Sequence, residues 1–110
     1  RSTLKDVVFE NCKLDMANFR FAKLTHIRFI DCLMTETDFQ MAELNDVEFR
    51  FSRLEKVEFN QARIKDVDAR TSTLLDIRGW QSLRGLAIDS TQLITVAPQL
   101  AIELGLMIKE

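Results

Sequence analysis

The chain of 110 residues offers few side chains able to do chemistry. His26 is its only histidine. A general base needs a partner or a pocket to set its proton affinity, and the five-residue spacing described below places His26 in a solvent-facing turn that supplies neither. Cys12 and Cys32 are the only thiols, and with one histidine they fall short of the four ligands of a structural zinc site. The chain has no phosphate-binding loop, nucleophile elbow or paired-carboxylate motif. No catalytic, cofactor-binding or metal-ligating residue is expected, and the chain reads as non-enzymatic.

What organises the chain is repetition. Phe9, Phe19, Phe29, Phe39, Phe49 and Phe59 are six of the eight phenylalanines and recur every ten residues. Midway between them stand Leu4, Leu14, Leu24, Met34, Leu44, Leu54 and Ile64, and Leu74 continues the series after Ala69. Two residues before each centre lies a small or β-branched residue, as in Val7, Cys12, Ala17, Ala22 and Ile27, through sixteen consecutive units. On an α-helix a step of five turns about 140° and scatters these residues around the axis. On a continuous strand an odd step flips the side chain to the other face. The pattern works if each unit is a short extended piece, with positions i−2 and i pointing inward, followed by a turn. Fixed-period repetition of that kind makes a solenoid wound around its own core.

Written in rows of twenty, the columns become coherent: Val7, Ile27, Val47, Val67 in one, Ser2, Ala22, Ala42, Ala62 in another, Cys12, Cys32, Ser52, Ser72 in a third. Four units therefore make one coil. The run Ala22-Lys23-Leu24 followed by Phe29, and Ala42-Glu43-Leu44 followed by Phe49, resembles the pentapeptide repeat family. The resemblance covers residues 2 to about 79. It implies an all-β solenoid, a right-handed quadrilateral β-helix of about four coils, with a small helical cap at the C-terminus. Phe9 to Phe59 and Leu4 to Leu74 would form its core. The family's frequent turn glycine is missing: Gly79, Gly85, Gly105 and the single Pro98 all lie in the last third.

The repeat spans residues 1–80 and residues 81–110 form the cap of the same domain. Asp89 or Ser90 offers an N-cap, with Gln92 as a capping-box partner. Leu93, Val96, Ala97, Leu100 and Leu104 make one apolar helical stripe. Pro98 is expected to break or restart the helix near Ala97, Gly105 to end it, and Leu106 to Ile108 to add a short strand. Trp80 or the cap helix is expected to fill the ring volume missing at Ala69 and Gly79. Residues 83–106 also resemble the C-terminal segment of the pentapeptide proteins linked to quinolone resistance, which implies a homodimer formed through the cap by Leu93, Leu100, Leu104, Leu106 and Ile108.

Cys12 and Cys32 share one inward column a coil apart, with side chains running parallel, so free thiols in a reducing compartment are expected over a disulfide. The net charge of −2 gives no electrostatic case for direct nucleic-acid or membrane binding. No apolar run approaches the ~20 residues of a membrane span. The chain begins without Met inside the repeat and reads as a piece of a longer protein. The family habit and the free thiols point to the bacterial cytoplasm.

Two functions remain open. The first is a structural or protein–protein interaction module with an unidentified protein partner. Apolar residues at outward positions would make contact: Met16, Phe21, Met41 and Phe51, with Phe21 and Met41 in one column and Met16 near the same edge. The alternative, implied by the resemblance, is a DNA mimic that binds a type II topoisomerase such as DNA gyrase and confers fluoroquinolone tolerance. Residues 31–70 hold ten acidic and six basic residues, net −4, and residues 1–30 hold three acidic and six basic, net +3. The column Lys23, Glu43, Arg63 mixes signs, which suits pairing between coils better than a phosphate-like array.

Overall fold

The structure, a computed structural model, describes residues 2–110. Each five-residue unit turns because one residue adopts the left-handed conformation. Fourteen non-glycine residues do so, all at the position two after a centre, from Asp6, Asn11 and Met16 to Asp66 and Asp76. Asp6, Asn11, Asp31, Asp46, Asp66 and Asp76 are the residue types that tolerate this region best, and none of the fourteen is β-branched. The corner at Thr71, which is β-branched, is absent from the set. The turn glycine is thus replaced by Asp, Asn and unbranched side chains.

Between corners the chain is extended. Strands β1 (Thr3–Glu10), β2 (Lys23–Ile30), β4 (Glu43–Arg50) and β6 (Arg63–Asp68) form one parallel sheet in the order β1-β2-β4-β6. Strands β3 (Leu33–Thr35), β5 (Arg53–Glu55) and β7 (Thr73–Leu75) form a second. Every pairing joins residues twenty apart, as Phe9 to Phe29 and Leu24 to Leu44. Single bridges from Asn18 through Asp38 and Glu58 to Arg78 line the fourth side. The left-handed residues Asp6, His26, Asp46 and Asp66 bend the long strands at a corner, so each coil has four sides. The result is a β-solenoid of about four coils, 47 × 24 × 24 Å overall.

Two phenylalanine ladders run along the axis. Phe9, Phe29 and Phe49 stack at 5.0–5.1 Å between centroids, and Phe19, Phe39 and Phe59 at 5.1–5.3 Å. The ladders meet edge to face at 6.0–6.3 Å, the geometry favoured by the ring quadrupole. Phe29, Phe39, Phe49, Phe59, Leu24, Met34, Leu44, Leu54 and Leu74 are buried. Leu4, Phe9, Leu14, Phe19 and Ile64 are only half-buried; the first four lie in the first coil, which has a neighbour on one side alone.

The small residues at i−2 also serve the main chain. In the third column Ser52 Oγ and Ser72 Oγ donate to the Phe29 and Phe49 carbonyls at 3.3 and 2.7 Å, and accept from the Cys32 and Ser52 amides at 3.1 Å each. Cys32 Sγ contacts the Phe9 carbonyl in the same way. Burial pushes the Cys32 thiol above its ordinary range. Both thiols are free. A hydroxyl or thiol is therefore needed here, because these amides have no main-chain partner in the next coil.

The cap corrects three expectations. Helix α1 (Ser90–Glu103) runs unbroken through Pro98. The carbonyl that loses its donor belongs to Ile94, which faces water, so the helix absorbs the proline. The helix starts at Asp89 with a full capping box to Gln92, and ends in paired bonds from Gly105 to Ile102 and Leu106 to Ala101, with Gly105 left-handed. Only part of the expected apolar stripe faces the coil. Val96 is buried and Leu100 half-buried, but Leu93, Ala97 and Leu104 are exposed. The helix is rotated so that Gln92 Nε2 donates to the Ala69 and Ser72 carbonyls, both at 2.6 Å. Gln99 Oε1 accepts from Trp80 Nε1 and the Ile77 amide at 3.3 and 3.1 Å. Those glutamines satisfy open groups of the last coil, which leucine cannot do. Leu106 to Ile108 form no strand and join neither sheet. The backbone of Gly79 closes directly onto Phe59 and Asn60, while Trp80 and Leu100 pack against the core, as expected of the cap.

Candidate interaction surfaces

His26 stands on a convex corner, and its Nδ1 lies 2.7 Å from Asp46 Oδ2 one coil on. The corner therefore does supply a partner, contrary to the expectation that it would supply none. Residues of one column stack on the next coil, and twenty residues separate the two. Asp46 also accepts from Arg28 Nη2 at 3.0 Å. The His26 contact first, and the Arg28 guanidinium second, hold the Asp46 carboxyl below its usual range. Both partners of the His26 contact stay about half exposed, so the pair links two coils at the surface and encloses no substrate site.

The charges are paired across and along the coils. Glu48 sits between Arg28 and Arg50 at 2.9 and 2.6 Å. Arg78 reaches Glu58 at 3.0 Å, and Arg63 pairs with Glu43 as the mixed column anticipated. Arg70 binds Asp68 at 2.8 Å and lowers its carboxyl below the ordinary range. Exposed pairs of this kind contribute little singly.

The repeat also exposes Val8 and Leu33 on its flat sides, and the four outward apolar residues expected from the sequence fall on three corners. Phe21 and Met41 share one, and Met41 is half-buried. Met16 occupies the neighbouring corner with Glu36, Lys56 and Asp76, and Phe51 a third with Asn11 and Asp31. They do not merge into one edge, because each sits at its own left-handed turn. The cap differs. Leu93, Ile94, Ile102, Leu104, Leu106, Met107 and Ile108 are all exposed, by 48–79%.

A model of the pentapeptide repeat region matches residues 2–78. The chain belongs to the pentapeptide repeat family. No curated protein matches its sequence. Among solved structures it is similar to a trypsin-treated variant of QnrB1, a plasmid-mediated fluoroquinolone resistance protein, with 15% identity over 97% of this chain and 90% of that one and a TM-score of 0.41. A second trypsin-treated QnrB1 variant aligns at 19% identity over 98% of this chain and 70% of that one, with a TM-score of 0.39.

For this pentapeptide repeat chain the lowered carboxyls of Asp46 and Asp68 set an acid dependence. A carboxyl held lower in the folded than in the unfolded chain stabilises above its unfolded value, and that contribution disappears as pH falls through the folded value. Stability is therefore expected to fall below about pH 4. Urea melts of the parent and of Asp46→Asn with Asp68→Asn, at neutral pH and at about pH 3, test this. The double variant should lose less on acidification, and an equal loss would assign the acid limb to other groups.

Proposed function

We propose that this chain is a non-enzymatic interaction module, a rigid pentapeptide rod that self-associates through its C-terminal cap. The observation that carries the reading is the apolar end formed by Ile102, Leu104, Leu106, Met107 and Ile108, which leaves large side chains in water side by side. An exposed cluster of this kind on a small rod marks a contact surface, and the unpaired tail Leu106 to Ile108 is placed to find its partner on a second copy. Among the described residues no helix is long and apolar enough to cross a membrane.

The charge arrangement favours this reading over imitation of a DNA duplex. Glu43, Glu48, Glu55, Glu58 and Asp68 each pair with an arginine, which neutralises the sides on which a phosphate-like array would have to stand. Sedimentation velocity tests the self-association directly. The chain is expected to sediment as a dimer at micromolar concentration, and Leu104→Glu with Ile108→Glu as a monomer with an unchanged melting temperature. A monomeric parent chain would overturn the reading. Relief of fluoroquinolone inhibition in a DNA gyrase supercoiling assay would restore the duplex-mimic reading ahead of it.

A further inference from the structure

The four sides of the solenoid do not carry charge equally. Three are neutral: Glu10, Arg28, Glu48, Arg50, Asp68 and Arg70 on one, Lys13, Asp15, Arg53 and Glu55 on the next, Arg20, Asp38, Glu58 and Arg78 on the last. The remaining side is the first half of strands β1, β2, β4 and β6. Its outward residues pair in two columns, Thr3, Lys23, Glu43, Arg63 and Lys5, Thr25, Asn45, Lys65. Four cations against one carboxylate give this side a net charge of +3. Among the described residues Lys5, Lys23 and Lys65 form no ion pair, whereas Arg20, Arg28, Arg50, Arg53, Arg70 and Arg78 each do. Lys13, Lys56, Arg84 and Lys109 are unpaired too but lie elsewhere, and of the four sides only this flat sheet has cations in excess of carboxylates.

We propose that this basic side is a docking surface for an acidic protein segment in extended form. The borders select the occupant. On one edge runs the corner Asp6, His26, Asp46, Asp66; on the other stand Phe21 and Met41. Coils are about 4.8 Å apart, so Lys5 and Lys65 are about 14 Å apart along the rod, and the two columns about 7 Å across. An extended peptide presents same-side carboxylates about 7 Å apart, and two or three of them fit over this strip. A nucleic-acid strand or duplex, broader and charged on all sides, would press phosphates against Asp6, Asp46 and Asp66. The apolar border suits a flanking leucine or phenylalanine on the same segment, with the charged centre setting orientation and association rate.

The proposal deepens the interaction-module reading and rests on it, but its surface is separate from the cap. The test is fluorescence anisotropy with a short fluorescein-labelled peptide carrying glutamate at every second position and a leucine at each end. Saturable binding in the micromolar range is expected, weakening at higher salt. Lys23→Glu with Lys65→Glu should weaken it at least about tenfold, while Lys13→Glu with Lys109→Glu, an equal charge change off this side, should leave it unchanged. No saturable binding, an equal loss in both pairs, or tighter binding of an oligothymidylate of equal charge would each overturn the proposal. Sedimentation of the same samples reads self-association on its own, so a failure here is distinguishable from a failure of the cap dimer.

Discussion

Phe29→Ala is expected to lower the unfolding free energy by about 3–5 kcal/mol. Phe29 is fully buried, with stacked rings 5.1 Å away at Phe9 and 5.0 Å away at Phe49. It also meets Phe19 and Phe39 edge to face at 6.1 and 6.0 Å. Removing the ring loses its transfer free energy and four aromatic contacts, and leaves a cavity in the second coil. That cavity cannot close easily, because the coil is held from both sides by main-chain bonds in a fixed register, such as those from Glu43 to Ala22 and from Lys23 to Ser2. Phe9→Ala supplies the comparison. Phe9 is half-buried in the first coil and has one stacked neighbour, so its loss should cost about 1–2 kcal/mol. Urea unfolding of both variants measures the difference. An unchanged midpoint for Phe29→Ala would mean that the inward register is wrong.

That register is legible from the sequence because the period admits one solution. A large residue every fifth place fits neither helix nor continuous strand, and the twenty-residue columns state the coil length. The left-handed corners were half legible. Asp6, Asn11, Asp31, Asp46, Asp66 and Asp76 carry the preference openly, but Met16, Phe21 and Phe51 stand at equivalent corners and read as surface patches. Their backbone conformation comes from the coil, not from their own propensity. The cap shows the opposite limit. Asp89, Gln92 and Gly105 announce the helix ends because capping is local. The face that α1 buries is decided by the open carbonyls of Ala69 and Ser72, and these exist only once the coil is built. Hydrophobic periodicity therefore turns Leu93, Ala97 and Leu104 inward with Val96, although they lie about 100° round the helix from the side that Gln92, Val96 and Gln99 bury. The His26–Asp46 contact and the basic side follow from the same column arithmetic once it is applied to outward positions, where no hydrophobic signal draws the eye.

Gly79→Ala is expected to cost roughly 2–4 kcal/mol, the largest effect of an added methyl at any of the three glycines. Gly79 continues the column of Phe19, Phe39 and Phe59, yet there is no room for even a Cβ. An added carbon would lie 2.6 Å from the Asn60 nitrogen and 2.7 Å from the Phe59 carbonyl carbon. Both are main-chain atoms of the coil beneath and cannot rotate away. The residue is also left-handed at φ +88°, a conformation that costs an alanine about 1 kcal/mol. Gly85 separates the two contributions. Its φ is +92°, but nothing lies within 4 Å of the point where a methyl would sit, so Gly85→Ala should carry the conformational cost alone. Trp80, the only tryptophan, follows Gly79 directly and donates from Nε1 to Gln99 of the cap helix. Displacement of the chain at position 79 should loosen that contact, and the indole emission should shift to longer wavelength in Gly79→Ala and not in Gly85→Ala. A large loss of stability at both glycines would place the cost in the left-handed backbone. A loss confined to Gly79, with the emission shift, would show that the solenoid ends where its main chain presses against the coil below.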